Sequence, residues 1–272
     1  MSPVLNVDSG GELMAGWWRK KSASEKNVPE RNVPEKDVPV TGEPEFSVGS
    51  ARGTLPAHID GPGGRRGVTL AVHDDGVVLT DGDERHAYQW SEVAHVWHAN
   101  DMDGEAADGL MITKWLHELL LEFTDGTVVG SLLADPPVVT PEPAFRTGQL
   151  SSSPPSVIAP LMQRVNAPVT ELHLARAKAA LAAGGQVDFG PLTATAEGLH
   201  HDGKKIPWHT ITSCRYSVVI FSEDEEELGA MLRMEYEVDG GEFGFPFAWL
   251  RIPALDVPDL DVLVRLAEEN RT

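Results

Sequence analysis

From Gly67 onward the chain is written in short apolar runs separated by Asp-Gly pairs, the pattern of antiparallel strands joined by tight hairpins. Apolar density and alternation predict strands at Val68–Val72, Val77–Leu79, His86–Trp90, Val93–Trp97, Leu119–Phe123 and Thr127–Leu133. A second series is predicted at Gln186–Phe189, Leu192–Ala194, Leu199–His201, Ile206–Trp208, Ser213–Phe221, Met231–Val238 and Phe243–Trp249. Two helical stretches separate the series. Val157, Ile158, Leu161, Met162 and Val165 form a one-sided stripe with Pro160 in its first turn, and the Ala-rich run Thr170–Ala183 stops at Gly184-Gly185. A last helix carries Leu260, Leu263, Val264 and Ala267 on one face, with Asp256 as its expected N-cap and Pro258 in its first turn.

Residues 1–62 have a different texture, rich in Pro, Ser, Gly and charge and without a sustained period of 2 or 3.6, which predicts a disordered tail. Within it, Glu25-Lys26-Asn27-Val28-Pro29 repeats as Glu30-Arg31-Asn32-Val33-Pro34 and Glu35-Lys36-Asp37-Val38-Pro39, and such regular prolines favour an extended spacer.

The two strand series match each other. Leu70-Ala71-Val72-His73-Asp74-Asp75-Gly76-Val77 lies over Leu192-Thr193-Ala194-Thr195-Ala196-Glu197-Gly198-Leu199. An Asp-Gly turn follows in each, Asp81-Gly82 and Asp202-Gly203, and then Trp90-Ser91-Glu92-Val93 corresponds to Trp208-His209-Thr210-Ile211. The expected architecture is therefore mainly β: two curved antiparallel barrels, each plugged by a C-terminal helix, with Trp90, Trp208, Gly76 and Gly198 as matching core positions. The boundaries are a tail at 1–62, a first domain at 63–168, a connecting helix at 169–185 and a second domain at 186–272.

The stretch Phe189-Gly190-Pro191-Leu192, then Glu197-Gly198-Leu199, then Lys205-Ile206-Pro207-Trp208-His209-Thr210-Ile211 resembles bacterial pleckstrin-homology-like (PH-like) domains. Thr170–Ile211 and Arg251-Ile252-Pro253-Ala254 are similar to an actinobacterial family of tandem PH-like proteins of unknown function, strongly in the second unit and weakly in the first. That resemblance implies a fold and brings no catalytic residue with it. The loop Pro136–Pro155, the acidic insert Glu223–Glu227 and the N-terminal tail depart from the family pattern.

Charge narrows the function. With 22 basic and 42 acidic residues the chain carries a formal net charge of −20, the wrong sign for gripping nucleic acid or an anionic bilayer through bulk electrostatics. Residues 1–60 hold 7 basic and 9 acidic side chains, so the remainder carries −18. The loops that would cradle a phosphorylated headgroup present His73, Asp74 and Asp75, or Thr195, Ala196 and Glu197, and the basic pair Lys204-Lys205 reads as a solvated hairpin tip. No apolar run approaches the roughly 18 residues of a membrane helix, and no basic segment followed by an apolar stretch opens the chain, so a cytoplasmic location is expected.

Reactive chemistry is sparse. His95 and His98 stand at odd spacing on a predicted strand and point to opposite faces, as do the adjacent His200 and His201, so neither pair readily shares an ion. Asp101-Met102-Asp103-Gly104-Glu105 resembles a calcium loop, but its glycine stands fourth and Ile112 occupies the place of the bidentate Glu, so an acidic surface loop is expected. Cys214, the single Cys, falls among apolar strand residues and reads as a small buried side chain. No nucleophile elbow, Walker loop, dinucleotide fingerprint or His-Glu-x-x-His helix occurs.

The expectation is a non-enzymatic protein without cofactor or metal, a tandem PH-like binding or scaffold protein whose acidity favours a basic protein partner. Trp17, Trp18, Arg19, Lys20 and Lys21 are the candidate partner-binding residues, because adjacent exposed indoles are costly to leave in water. The same run suggests a second reading, recruitment to a membrane surface with weak contact through the tail. A third is a small-ligand sensor or hydrolase with a pocket between the domains.

Overall fold

Period-2 alternation builds the first sheet from Leu55 onward, since Leu55, Ala57, Val68, Leu70 and Val72 are buried while their neighbours Thr54, Pro56 and Thr69 are exposed. The computed structural model describes residues 53–61, 64–107, 110–135, 138–141, 158–219, 229–238 and 246–271. Strands β1 (Gly53–Gly61), β2 (Gly64–Val72), β3 (Gly76–Asp81) and β4 (Glu84–Gln89) form a meander. β5 (Val93–Ala107), β6 (Leu110–Phe123) and β7 (Val128–Ala134) form a second, and β8 (Val138–Pro141) adds to β6. The two meanders join into one eight-stranded antiparallel sheet through β1 and β7, which share only the pairs His58↔Gly130 and Ile59↔Val129. So short a seam lets the sheet curl over its own core.

The second half repeats the plan. β9 (Val187–Phe189), β10 (Leu192–Thr195), β11 (Gly198–His201) and β12 (Lys204–Pro207) form a four-stranded sheet in the order β12-β11-β10-β9. β13 (Ile211–Val219), β14 (Gly229–Glu237) and β15 (Phe247–Pro253) form a three-stranded one. The two halves share fine detail as well. Trp90 and Trp208 each open a 3-10 turn after the fourth strand, each is 5% exposed, and their backbone N–H groups donate to Asp75 O and Glu197 O, which are equivalent positions. Their indoles donate to Asp74 O at 2.9 Å and Thr195 O at 3.0 Å. Gly76 and Gly198 face the opposite strand so closely that a Cβ would stand 2.0 Å from Tyr88 O and 2.2 Å from Ile206 O, leaving room for glycine alone.

Helix α1 (Ala159–Ala182) serves both halves. Met162, Val165 and Val169 enter the first core with Leu70, Trp90 and Phe123, while Leu174, Ala177 and Leu181 enter the second with Phe189, Leu232 and Met234. It ends at Gly184, whose φ of 76° lets the Gly184 and Gly185 N–H groups return to Leu181 O and Ala180 O. Helix α2 (Leu260–Asn270) closes the second core with Leu260, Leu263, Leu266 and Ala267, all buried completely.

Four sequence expectations change. β1 falls inside the stretch expected to be a disordered tail, where the Leu55-x-Ala57-x-Ile59 alternation is diluted by Pro56, His58 and the flanking glycines. The two predicted helical stretches are one helix that runs through Pro168. Proline removes one intrahelical hydrogen bond, and burial of apolar residues on both sides of it offsets that loss. Asp101–Glu105 is strand rather than loop, because β5 and β6 stay paired out to Ala107↔Leu110. The N-cap of α2 is Asp259 and not Asp256, which lies in a 3-10 turn.

Candidate functional site

The polar side chains that sequence and packing bury together lie where β5, α1 and the start of α2 meet. Asp259, 7% exposed, holds a left-handed backbone (φ 52°, ψ 39°), a conformation that Asp tolerates better than most residues. Its N–H donates to Val96 O at 2.7 Å, and its Oδ1 accepts from the Val96 N–H at 3.1 Å, so the N-cap residue of α2 is bonded to β5 as a strand neighbour would be. Oδ2 lies 2.9 Å from His95 Nδ1, and Oδ1 lies 2.9 Å from His173 Nδ1. His173 Nε2 in turn meets Val93 O at 2.9 Å. Burial alone would raise the Asp259 carboxyl, yet the hydrogen bonds and charges of His173 and His95 hold it below the ordinary carboxylate value.

Further contacts run alongside. His98 Nε2 stands 3.2 Å from Asp261, and although burial opposes it, this ring holds the Asp261 carboxyl below its ordinary value. His117, 3% exposed, bridges Asp135 Oδ2 at 2.9 Å and Asn100 Oδ1 at 2.8 Å. The Asn100 N–H donates to the Tyr216 hydroxyl, which donates back to Asn100 O at 2.8 Å, so a continuous chain of bonds crosses from β6 through β5 to β13. On the outside, α1 and α2 are tied by Lys178–Glu269 and Arg265–Glu171, exposed pairs that contribute little.

Two concavities flank this junction. One, of about 360 Å³, lies between His98, Asn166, Thr170, Asp261 and Arg265, and the Asn166 Oδ1 beside it is buried with no hydrogen-bond partner. The other, of about 260 Å³, is bordered by His95, His173, Arg176, Phe189 and Asp259.

Chemically, the junction is a latch. Both ring nitrogens of His173 are already engaged by oxygens, Asp259 Oδ1 and Val93 O. Cys214 is buried, its thiol pushed up to about 12 chiefly by desolvation and then by Glu268, so it stays protonated and unreactive. Among the described residues no group of three or more His, Cys, Asp or Glu side chains is placed to hold a metal ion. His95 and His98 engage different carboxylates, Asp259 and Asp261. Lys205 pairs with Glu197 at the rim of the β11–β12 hairpin.

Trp17, Trp18, Arg19, Lys20 and Lys21 lie outside the described residues, as does the acidic insert Glu223–Glu227. Sequence reasoning missed Asp259, His173, His117 and Tyr216. The available signals were a His inside the Ala-rich helical run and an acid standing one residue after Pro258 at a helix start.

No protein-family model matches the chain, and no curated protein matches it either. Among the described residues no helix is long and apolar enough to cross a membrane.

Proposed function

We propose that the chain is a non-enzymatic tandem PH-like binding or scaffold protein that presents its sheet faces and edges to another protein. The observation that carries this reading is how the buried polar groups are used: Asp259, His173 and the Asn100–Tyr216 pair bond β5 to the start of α2, α1 to α2, and β5 to β13, and so tie two sheet-and-helix units together. The repeated four-plus-three strand order with a following helix supports the PH-like assignment. Exposed aromatics, Trp249 at 57% and Phe247 at 40%, supply contact area at low conformational cost.

Chemical cross-linking of the full chain in lysate of its own cells, followed by mass spectrometry, tests the reading. A stoichiometric protein cross-linked to residues 53–271 supports it. Recovery of a protein only through Trp17 and Trp18, abolished by changing both to Ala, moves the function to the tail, and recovery of no protein refutes it.

A second reading, a small-ligand sensor, is favoured by the 360 Å³ cleft beside the unpartnered Asn166 Oδ1. A ligand there raises the unfolding temperature of the wild-type chain and not of Asn166→Leu.

A further inference from the structure

The outer face of the β13-β14-β15 sheet carries a feature that the net charge of −20 hides. Arg215 pairs in register with Arg233, and Arg233 with Arg251, so three arginines stand side by side across three strands. Residues directly opposite in antiparallel strands project to the same face, and strands lie about 4.8 Å apart, so the row spans about 10 Å. Like charges directly opposite one another destabilise a sheet. Among the described residues, nothing offsets that cost for two of them: Arg215 and Arg233 make no ion pair, and the Arg233 Nε is buried without a hydrogen-bond partner. A guanidinium so placed is complete only when an anion is brought to it.

The next rows along the same face are Ser213, Glu235 and Trp249, and then Glu237 and Phe247. Arg251, Trp249 and Phe247 thus alternate outward along β15, and all three are exposed. β15 is also an edge. In the first half the last strand of the meander, β7, pairs with β1, whereas among the described residues β15 pairs with β14 alone. Its outer N–H and C=O groups are those of an unoccupied strand position.

Resting on the reading of the chain as a protein-binding module, we propose that β15 takes up an extended acidic segment of a partner protein as an added strand. Main-chain bonds form along the edge, apolar side chains of the segment cover Phe247 and Trp249, and its carboxylates approach the arginine row from the Arg251 end. The partner chemistry at this face is therefore the opposite of the basic partner that bulk charge suggests. A polyanionic nucleic acid fits less well, because it offers no peptide main chain to pair with the open edge of β15.

The test uses the isotopically labelled full chain and three probes: a blocked peptide Glu-Thr-Glu-Thr-Val-Thr-Val, whose Glu and Val side chains share one face of a strand, its counterpart with Lys in place of Glu, and an oligothymidylate. The acidic peptide is expected to shift the amides of Phe247–Pro253, and its affinity is expected to fall about tenfold in Arg215→Gln/Arg251→Gln and in Trp249→Ser. Both variants change exposed side chains, so the test stands even where Arg233→Gln fails to fold. Equal binding of the Lys peptide, preference for the oligonucleotide, shifts confined to another surface, or no shift at all overturns the proposal. So does binding that requires Glu223–Glu227 to be neutralised first, which assigns the row to that insert. A protein still cross-linked to residues 53–271 when the peptide fails would leave the binding-protein reading intact.

Discussion

Replacing Asp259 by Asn isolates the charge at the junction, because Asn tolerates the left-handed backbone equally and keeps one acceptor oxygen. The wild-type carboxylate bonds His173, His95 and the Val96 N–H while 7% exposed. A hydrogen bond to a charged group contributes about 1.5–3 kcal/mol, and removing one partner of a buried pair costs about 3–5 kcal/mol. The His95 side chain is 42% exposed, so its share is small. The expected loss is about 3 kcal/mol, which for a unit of this size lowers the unfolding temperature by roughly 10 °C. Calorimetry or circular dichroism at neutral pH measures it. The pH dependence supplies a second check. Since the folded-state Asp259 value lies below the unfolded one, its contribution is fully present above the unfolded value of about 3.9 and is lost as pH falls through the folded value. The gap between wild type and variant should therefore close in strong acid. A loss under about 1 kcal/mol at neutral pH, or a gap that does not close, would refute the latch.

Other consequences are equally direct. Gly198→Ala places a Cβ 2.2 Å from Ile206 O, and Gly76→Ala one 2.0 Å from Tyr88 O, so each should cost at least about 2 kcal/mol by urea unfolding, and a neutral effect would contradict the close strand approach. Trp208→Phe removes the bond to Thr195 O and part of a buried ring, with an expected loss of about 2 kcal/mol by the same assay. Pro168→Ala restores an N–H inside α1 and should raise the unfolding temperature, since proline in a helix interior costs up to about 3 kcal/mol relative to alanine. Cys214 should resist a thiol reagent in the native state at pH 8 and react at once in denaturant, as expected of a buried thiol held near 12.

Most of the strand positions were legible because their turns are chemically specific. Asp202-Gly203 adopts φ of 47° and 75°, the two left-handed positions a tight hairpin requires, and sequence alone placed that turn. Trp90 and Trp208 were legible as equivalent because the residues around them repeat. β1 was not, because its three apolar positions sit among Pro56, His58 and glycines, which mask the alternation even though its main partner, β2, is the next strand. The continuity of α1 across Pro168 was hidden because what sustains it is burial in two separate cores. The junction was least legible of all. Each of Asp259, His95 and His173 is unremarkable in its own segment, and only tertiary folding brings positions 95, 173 and 259 together.

Because α1 lends its first turns to one core and its last turns to the other, melting either half strips the other of part of its interior. Heat should therefore take the whole of 53–271 apart in one cooperative step, and a gene cut at the helix would yield two sticky, aggregation-prone fragments in place of two well-behaved domains.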